Sequence, residues 1–371
     1  MHPVDTSTLD PWVRYLLECR ATDLHFSVGS TPRVRIDGRL MAVPDTEPTT
    51  EETLEHILRG LLGSQGLEEF RHGRQSDFAF SWTGDGRTER FRGNAFVQMT
   101  GTALALRHIP GEIPDPAAIG LPTSVQRLLG RPHGLVLVTG PTGSGKSTSL
   151  AAMLHWINQN RPLHILTIED PVEYLHRSDV ALVNQREIGD DVPSFEAGLR
   201  AALREDPDVV LVGEMRDLET ISLTLTLAET GHLVFATVHT NDAAQTVDRI
   251  IDAFPVGQQE QVRAQLSMTL AAVISQRLVP RIGGGRVAAF EVLMGTHAVQ
   301  NVIREGKVRQ LRNMIATGQR DGMVVLEQSL SDLVARGVIS LEEAQANSVH
   351  PEEVDAAPVV AGAQQQAPPP R

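Results

Sequence analysis

Gly140-Pro141-Thr142-Gly143-Ser144-Gly145-Lys146-Ser147 sets glycine, four residues, glycine, lysine and serine in a fixed order. Glycines allow such a loop to fold back until successive backbone N–H groups face one anion. Leu135-Val136-Leu137-Val138 before it reads as a short buried strand, and Thr148 to Trp156 after it as a helix opening on Ser147. The start of a helix adds partial positive charge, so the strand–loop–helix context turns the pattern into a phosphate site. The expected ligand is ATP. Lys146 can reach its terminal phosphates, the Ser147 hydroxyl can take a place on Mg²⁺, and Gly140 to Thr148 form the cradle.

Three further runs could supply chemistry beside the loop. Val209-Val210-Leu211-Val212-Gly213-Glu214 is an apolar strand that ends in a carboxylate. A phosphate-loop enzyme needs such a group near Mg²⁺ and the attacking water, so Glu214 is a candidate metal ligand and catalytic acid/base. Ile165-Leu166-Thr167-Ile168-Glu169-Asp170-Pro171-Val172-Glu173 again delivers acids at a strand end. One of them could orient or deprotonate water; a solvated acidic turn is the other reading. In Gly231 to Thr240, His232 and His239 bracket an apolar strand. Their odd spacing argues against a shared metal, and a hydrogen-bonding role beside the phosphates stands next to a structural one.

Elements that would position these residues can be read from periodicity. Residues 8–20 suit an amphipathic helix, and residues 50–62 a second. Val34–Ile36 and Leu40–Val43 flank Asp37-Gly38, a pair that favours a tight primed turn. Phe78–Trp82, Gly84-Asp85-Gly86 and Arg90–Val97 suggest another hairpin, with a strand over Thr102–Arg107. Residues 1–108 thus form a small α+β domain. Prolines 110, 114, 116 and 122 mark residues 109–130 as a linker. Over 131–350, the segments Leu135–Thr139, His164–Ile168, Val180–Val183, Val209–Val212, Leu233–Thr237 and Val287–Val292 alternate with helical patterns, which implies an α/β domain with a mostly parallel sheet. Gln258–Leu278 reads as one helix, packed into the core through Val262, Leu266, Met268, Leu270, Val273 and Ile274. Residues 351–371, rich in Ala, Gln and Pro, are expected to be disordered.

The chain has 371 residues and a formal net charge of −13. That balance argues against a general nucleic-acid coat, and against a nucleic-acid translocase. Cys19 is the one cysteine, so neither an intrachain disulfide nor a cysteine-rich zinc site can form. There is no apolar run of membrane-spanning length and no leader pattern, so the chain is expected to be cytoplasmic, with membrane association through partners.

The four runs, in this order, resemble the secretion ATPase superfamily, which powers type II secretion, type IV pili and related machines. The resemblance runs from about Ala21 to Ala344 and includes Asp23-Leu24-His25, Leu182 to Glu187, Ala201 to Asp208 and Gly213 to Thr220. It implies a RecA-like core, a smaller PAS-like N-terminal domain, a homo-hexamer and an inner-membrane pilus platform protein as partner. Asp248 to Pro255 and Ala298 to Glu305 are similar to the pilus-retraction branch, although Gln300 replaces an arginine there. Assembly and type II secretion members usually carry a four-cysteine module that this chain cannot build. Thr240 to Ala243 and Gln276-Arg277-Leu278 lean towards that assembly branch instead. By resemblance, Glu173 is the water-activating base with Glu169 second, and His232 and His239 hold the γ-phosphate end or relay closure between subunits. Arg92 and Arg107 are the arginines that could reach phosphates from the first domain. The expected function is an ATP-driven retraction motor; an assembly or secretion ATPase and a nucleotide-dependent binding switch are the alternatives.

Overall fold

The computed structural model describes residues 6–109 and 111–355, and the chain divides into two compact units between Glu112 and Ile113. The expected disordered tail lies, from residue 356 onward, outside the described residues.

The first unit opens with α1 (Asp10–Glu18), followed by β1 (Asp23–Ser27), β2 (Ser30–Ile36) and β3 (Arg39–Ala42). Then come α2 (Glu51–Gly73), β4 (Gln75–Gly84), β5 (Arg87–Gln98) and β6 (Gly101–Ile109). The six strands form one antiparallel sheet in the order β3-β2-β1-β6-β5-β4. Both Asp-Gly turns carry positive φ at each residue (47° and 84° at Asp37 and Gly38, 54° and 75° at Asp85 and Gly86), as a primed hairpin turn requires. Trp82, Phe91, Leu104, Leu24 and Phe26 on one face pack against Val13 and Leu16 of α1 and Leu54, Ile57 and Leu58 of α2. The Trp82 indole N–H donates to Asp10 at 2.7 Å, which satisfies the one polar atom that this buried ring carries. Sequence periodicity misses β1 and ends α2 at residue 62. Gly63, at φ 69°, kinks that helix, and the chain resumes helical geometry beyond it to Gly73.

The second unit starts with α3 (Thr123–Leu128). This part of the expected linker is ordered: Leu121, Val125, Leu128 and Leu129 are buried in the core of the second unit. Apolar residues at helical spacing after Pro122 explain the difference. The chain continues through β7 (Gly134–Thr139), α4 (Lys146–Asn160), β8 (His164–Glu169), β9 (Leu182–Glu187), α5 (Phe195–Ala202), β10 (Val209–Val212), α6 (Leu218–Glu229) and β11 (Leu233–Val238). It goes on through α7 (Ala243–Asp252), α8 (Val256–Thr269), β12 (Leu270–Pro280) and β13 (Arg286–Met294). Four short helices end it: α9 (His297–Arg304), α10 (Leu311–Thr317), α11 (Leu326–Ala335) and α12 (Leu341–Ala346). The sheet order is β13-β12-β7-β11-β10-β8-β9, parallel except for β13 at one edge. Apolar layers cover both faces, which is why its central strands read as continuous hydrophobic runs.

The single helix expected over Gln258–Leu278 is a correction. The helix stops at Thr269 and Leu270 begins a strand beside β7. Every residue from Leu270 to Gln276 is buried, so the helical period vanishes there, and a short run that is apolar throughout fits either element. Met268, expected in the core, is exposed. The Val180–Val183 strand is displaced to Leu182–Glu187, because β9 is an edge strand whose later residues are polar.

Candidate active site

β7, β8, β10 and β11 run parallel, and the register pairs Val212 with Ile168 and with Ala236, and Val238 with Thr139. Whatever follows each strand therefore emerges at one edge of the sheet. Beyond β7 comes Gly140, beyond β8 Asp170, beyond β10 Gly213-Glu214, and beyond β11 His239. In open parallel sheets that edge is where ligands bind.

The loop is shaped by its glycines. Gly140, Gly143 and Gly145 have φ of 140°, 78° and 87°, a region L side chains rarely enter. At Gly143 a Cβ would meet nothing within 4 Å, so backbone conformation alone selects glycine there. At Gly140 it would lie 2.3 Å from the Gln276 carbonyl oxygen, so close approach selects glycine too. Lys146 opens α4 at 8 % exposure, and its Nζ donates to the carbonyls of Gly140 (2.9 Å) and Pro141 (3.1 Å). Burial lowers the Lys146 ammonium below its ordinary value, while the negative charges of Glu214 and Glu173 act to raise it. Lysine and both acids therefore share one electrostatic neighbourhood. Thr148 bonds the Tyr174 hydroxyl at 2.9 Å, tying the first turn of α4 to the segment that carries Glu173.

Glu214 is largely enclosed. One of its oxygens, Oε1, is 2.5 Å from Arg216 Nε and 3.1 Å from His239 Nε2. The turn that presents it is fixed by the Gly213 N–H on the Ile168 carbonyl (2.8 Å) and the Thr237 hydroxyl on the Gly213 carbonyl (2.5 Å). Glu169 accepts from Thr167 Oγ1 at 2.7 Å and Gln185 Nε2 at 3.4 Å. Burial pushes its carboxyl up to about 7 against those hydrogen bonds, helped by the charge of Glu173. A cis peptide joins Asp170 to Pro171, and the Val172 N–H donates to Glu187 at 2.9 Å.

The two histidines part company. His239 sits at the phosphate edge, against Glu214. His232 precedes β11 at the opposite edge, where its carbonyl accepts from the Gly134 N–H and its ring Nδ1 is 2.9 Å from the Leu227 carbonyl. The strand between them spans about 20 Å at ~3.3 Å per residue, so His232 does not join the phosphate end of its own chain. Its role beside the γ-phosphate is corrected on that ground; it closes the turn after α6. In the first unit, Arg92 and Arg107 are exposed and directly paired across β5 and β6, and Arg107 Nε bonds Asp23 at 2.8 Å.

Sequence reasoning missed Gln276, Ser149, Tyr174, Gln185 and Arg216. Gln276 left a signal: one amide at the end of the apolar run Leu270–Ile274. A cavity of about 300 Å³ lies beside the loop, lined by Pro141 to Ser144, Asn241, Arg277, Leu278, Arg286 and Asn347.

Residues 5–346 match the model of the family described as type II/IV secretion system protein. The chain belongs to that family. It is 48% identical over 332 residues to the type IV pilus retractation ATPase PilT of Pseudomonas aeruginosa, covering 90% of this chain and 95% of the relative. It is 47% identical to a twitching motility protein of Neisseria gonorrhoeae, covering 85% and 83%. Its fold superposes on the crystal structure of the pilus retraction motor PilT with bound ADP at TM-score 0.82 and 47% identity, covering 92% of this chain and 97% of that one. The second unit is accordingly a RecA-like ATPase core, which follows an N-terminal α+β domain along the chain. No described helix is long and apolar enough to cross a membrane.

Proposed function

We propose that this protein is an ATP-hydrolysing motor that powers type IV pilus retraction and twitching motility. The observation that carries the reading is that the phosphate loop and Glu214 emerge at one strand edge, with the segment of Glu173 tied to the start of α4 through Thr148 and Tyr174. Near-full-length likeness to a pilus retraction motor supplies the mechanical context.

The backbone amides of Gly143 to Thr148 would hold the phosphates, and the cavity beside Pro141–Ser144 leaves room for the rest of the nucleotide. The hydroxyl of Ser147 and the carboxylate of Glu214 are hard oxygen donors of the kind Mg²⁺ takes, so the residues present fit that ion. When bound, Mg²⁺ would neutralise charge on the β- and γ-phosphate oxygens. Glu173 is the base that accepts the proton of the attacking water, with Glu169 second. Glu169 comes second because Thr167 and Gln185 already hold its Oε1. His239 orients Glu214 through the 3.1 Å contact. Arg92 and Arg107 present guanidinium groups to the phosphates of a neighbouring copy in a homo-hexamer. Hydrolysis opens and closes subunit interfaces in turn and works on an inner-membrane platform protein, which places a cytoplasmic motor at the membrane through its partner. Nucleic acid has no part in this cycle.

Deleting the gene tests the reading. Abundant surface pili without twitching are expected; loss of pili would transfer the chain to the assembly branch. Purified protein should release phosphate over many turnovers without nucleic acid. A single turnover would leave a binding switch.

A further inference from the structure

Ser275, Gln276 and Arg277 lie in the middle of β12, and each holds a different segment beside the phosphate loop. The Ser275 hydroxyl donates to the Asn241 carbonyl at 2.9 Å, and Arg277 donates to the Asn347 carbonyl at 2.7 Å. Gln276, between them, reaches the loop itself. Its Nε2 donates to the Ser144 carbonyl at 2.8 Å, and its Oε1 accepts from the Ser149 hydroxyl at 2.7 Å. The β7–β12 register pairs Ser275 with Thr139, which brings Gln276 level with Gly140. Gln276 also crowds the loop at both ends: a Cβ on Gly140 would sit 2.3 Å from its carbonyl oxygen, and one on Gly145 2.9 Å from its Nε2. At 2 % exposure the side chain is shut off from water, which leaves both amide bonds without a solvent competitor.

A trans peptide is planar, with its C=O and N–H pointing in opposite directions. Drawing the Ser144 carbonyl outward to Gln276 therefore turns the Gly145 N–H the other way, to the inner side of the loop. The bond to Ser149 fixes the first turn of α4, the helix that Lys146 and Ser147 open. We infer that Gln276 is a positioning residue for phosphate binding, aiming the Gly145 N–H inward through Ser144 and setting the start of α4 through Ser149. The inference rests on the ATPase reading above. An amide suits the task because it donates to one partner and accepts from the other at once. Methionine keeps the length and loses both bonds; glutamate keeps the acceptor and sets a carboxylate oxygen against the Ser144 carbonyl.

Three full-length variants test this: Gln276→Met, Gln276→Glu and Ser149→Ala. Each is titrated with a fluorescent ADP analogue, assayed for ATP turnover and melted without nucleotide. Both Gln276 variants should raise the ADP dissociation constant and the KM for ATP by roughly tenfold, with kcat changed far less. Ser149→Ala should raise them by roughly threefold. Their melting temperatures without nucleotide should fall by only a few degrees, the cost of the buried hydrogen bonds lost, so that the protein stays folded at the assay temperature. Unchanged nucleotide affinity, or a loss that merely follows the loss of melting temperature, overturns the inference. Should the Gln276 variants not fold, Ser149→Ala decides alone: raised constants uphold it and natural ones overturn it. Natural protein that binds no ADP would instead refute the ATPase reading beneath it.

Discussion

The ammonium of Lys146 rests 2.9 Å from the carbonyl of Gly140, the first residue of the loop that the lysine closes. With Pro141 at 3.1 Å as second acceptor, the side chain is folded back over its own loop. Terminal phosphates must take it from two neutral carbonyls. They can, because a phosphate oxygen adds the attraction of opposite charges to the charged-donor hydrogen bond that a carbonyl makes. Lys146→Ala should lower kcat/KM for ATP by roughly 10²–10³-fold, read by phosphate release on folded protein. Normal turnover in that variant would contradict the ATPase assignment.

Glu173 and Glu214 both act on Lys146, and neither is a component of the loop that grips the phosphates. Glu173→Gln and Glu214→Gln should therefore keep ADP binding and each lose turnover by roughly 10²-fold or more. Parallel nucleotide titration and phosphate release separate the two effects. Full turnover in Glu173→Gln would move the base to Glu214.

The edge-to-edge separation of the histidines predicts different failures. His239→Ala frees one contact on Glu214 and should depress kcat by roughly tenfold, with KM little changed. His232→Ala loses the ring contacts to Leu227 and Thr230 and should lower the melting temperature while purified-protein turnover per folded molecule persists. Equal kcat losses in both variants would mean that His232 reaches a site its own chain does not provide.

Two buried carboxyls give stability a definite pH trend. Burial pushes Glu169 and Glu291 up to about 7, against an ordinary value of 4.5. Through that window the folded chain holds protons that the unfolded chain has released, so their contribution falls as pH rises and levels off above about 7. His176, lowered to about 4 by burial, works the other way: its contribution grows as pH climbs towards 6.5. Comparison with Glu169→Gln and Glu291→Gln isolates the carboxyl part. Melting temperatures of both variants should decline less than those of the natural chain between about pH 5 and about pH 7. A parallel decline in all three proteins would show that these carboxyls titrate normally.

Much of the site was legible from local pattern because its requirements are local. Gly140, Gly143 and Gly145 adopt positive φ, and Lys146 and Ser147 follow on a helix start, so type and spacing carry the phosphate loop unaided. Glu214 was legible for a like reason: an apolar run that stops at a carboxylate tells where a buried strand surfaces. Gln276 was not, because its meaning lies in Ser144 and Ser149, more than a hundred residues earlier in the chain.

Residue order thus settled the shape of the glycine loop, the two Asp-Gly hairpins and the alternation of strands with helices, all governed by a few neighbouring side chains and their backbone preferences. Long-range packing settled the rest. It made Leu270–Gln276 a strand, since a run apolar on every side has no period until β7 and β13 claim it. It also set His239 against Glu214 and left His232 at the far edge, because parallel register, not spacing along the chain, determines which strand ends meet.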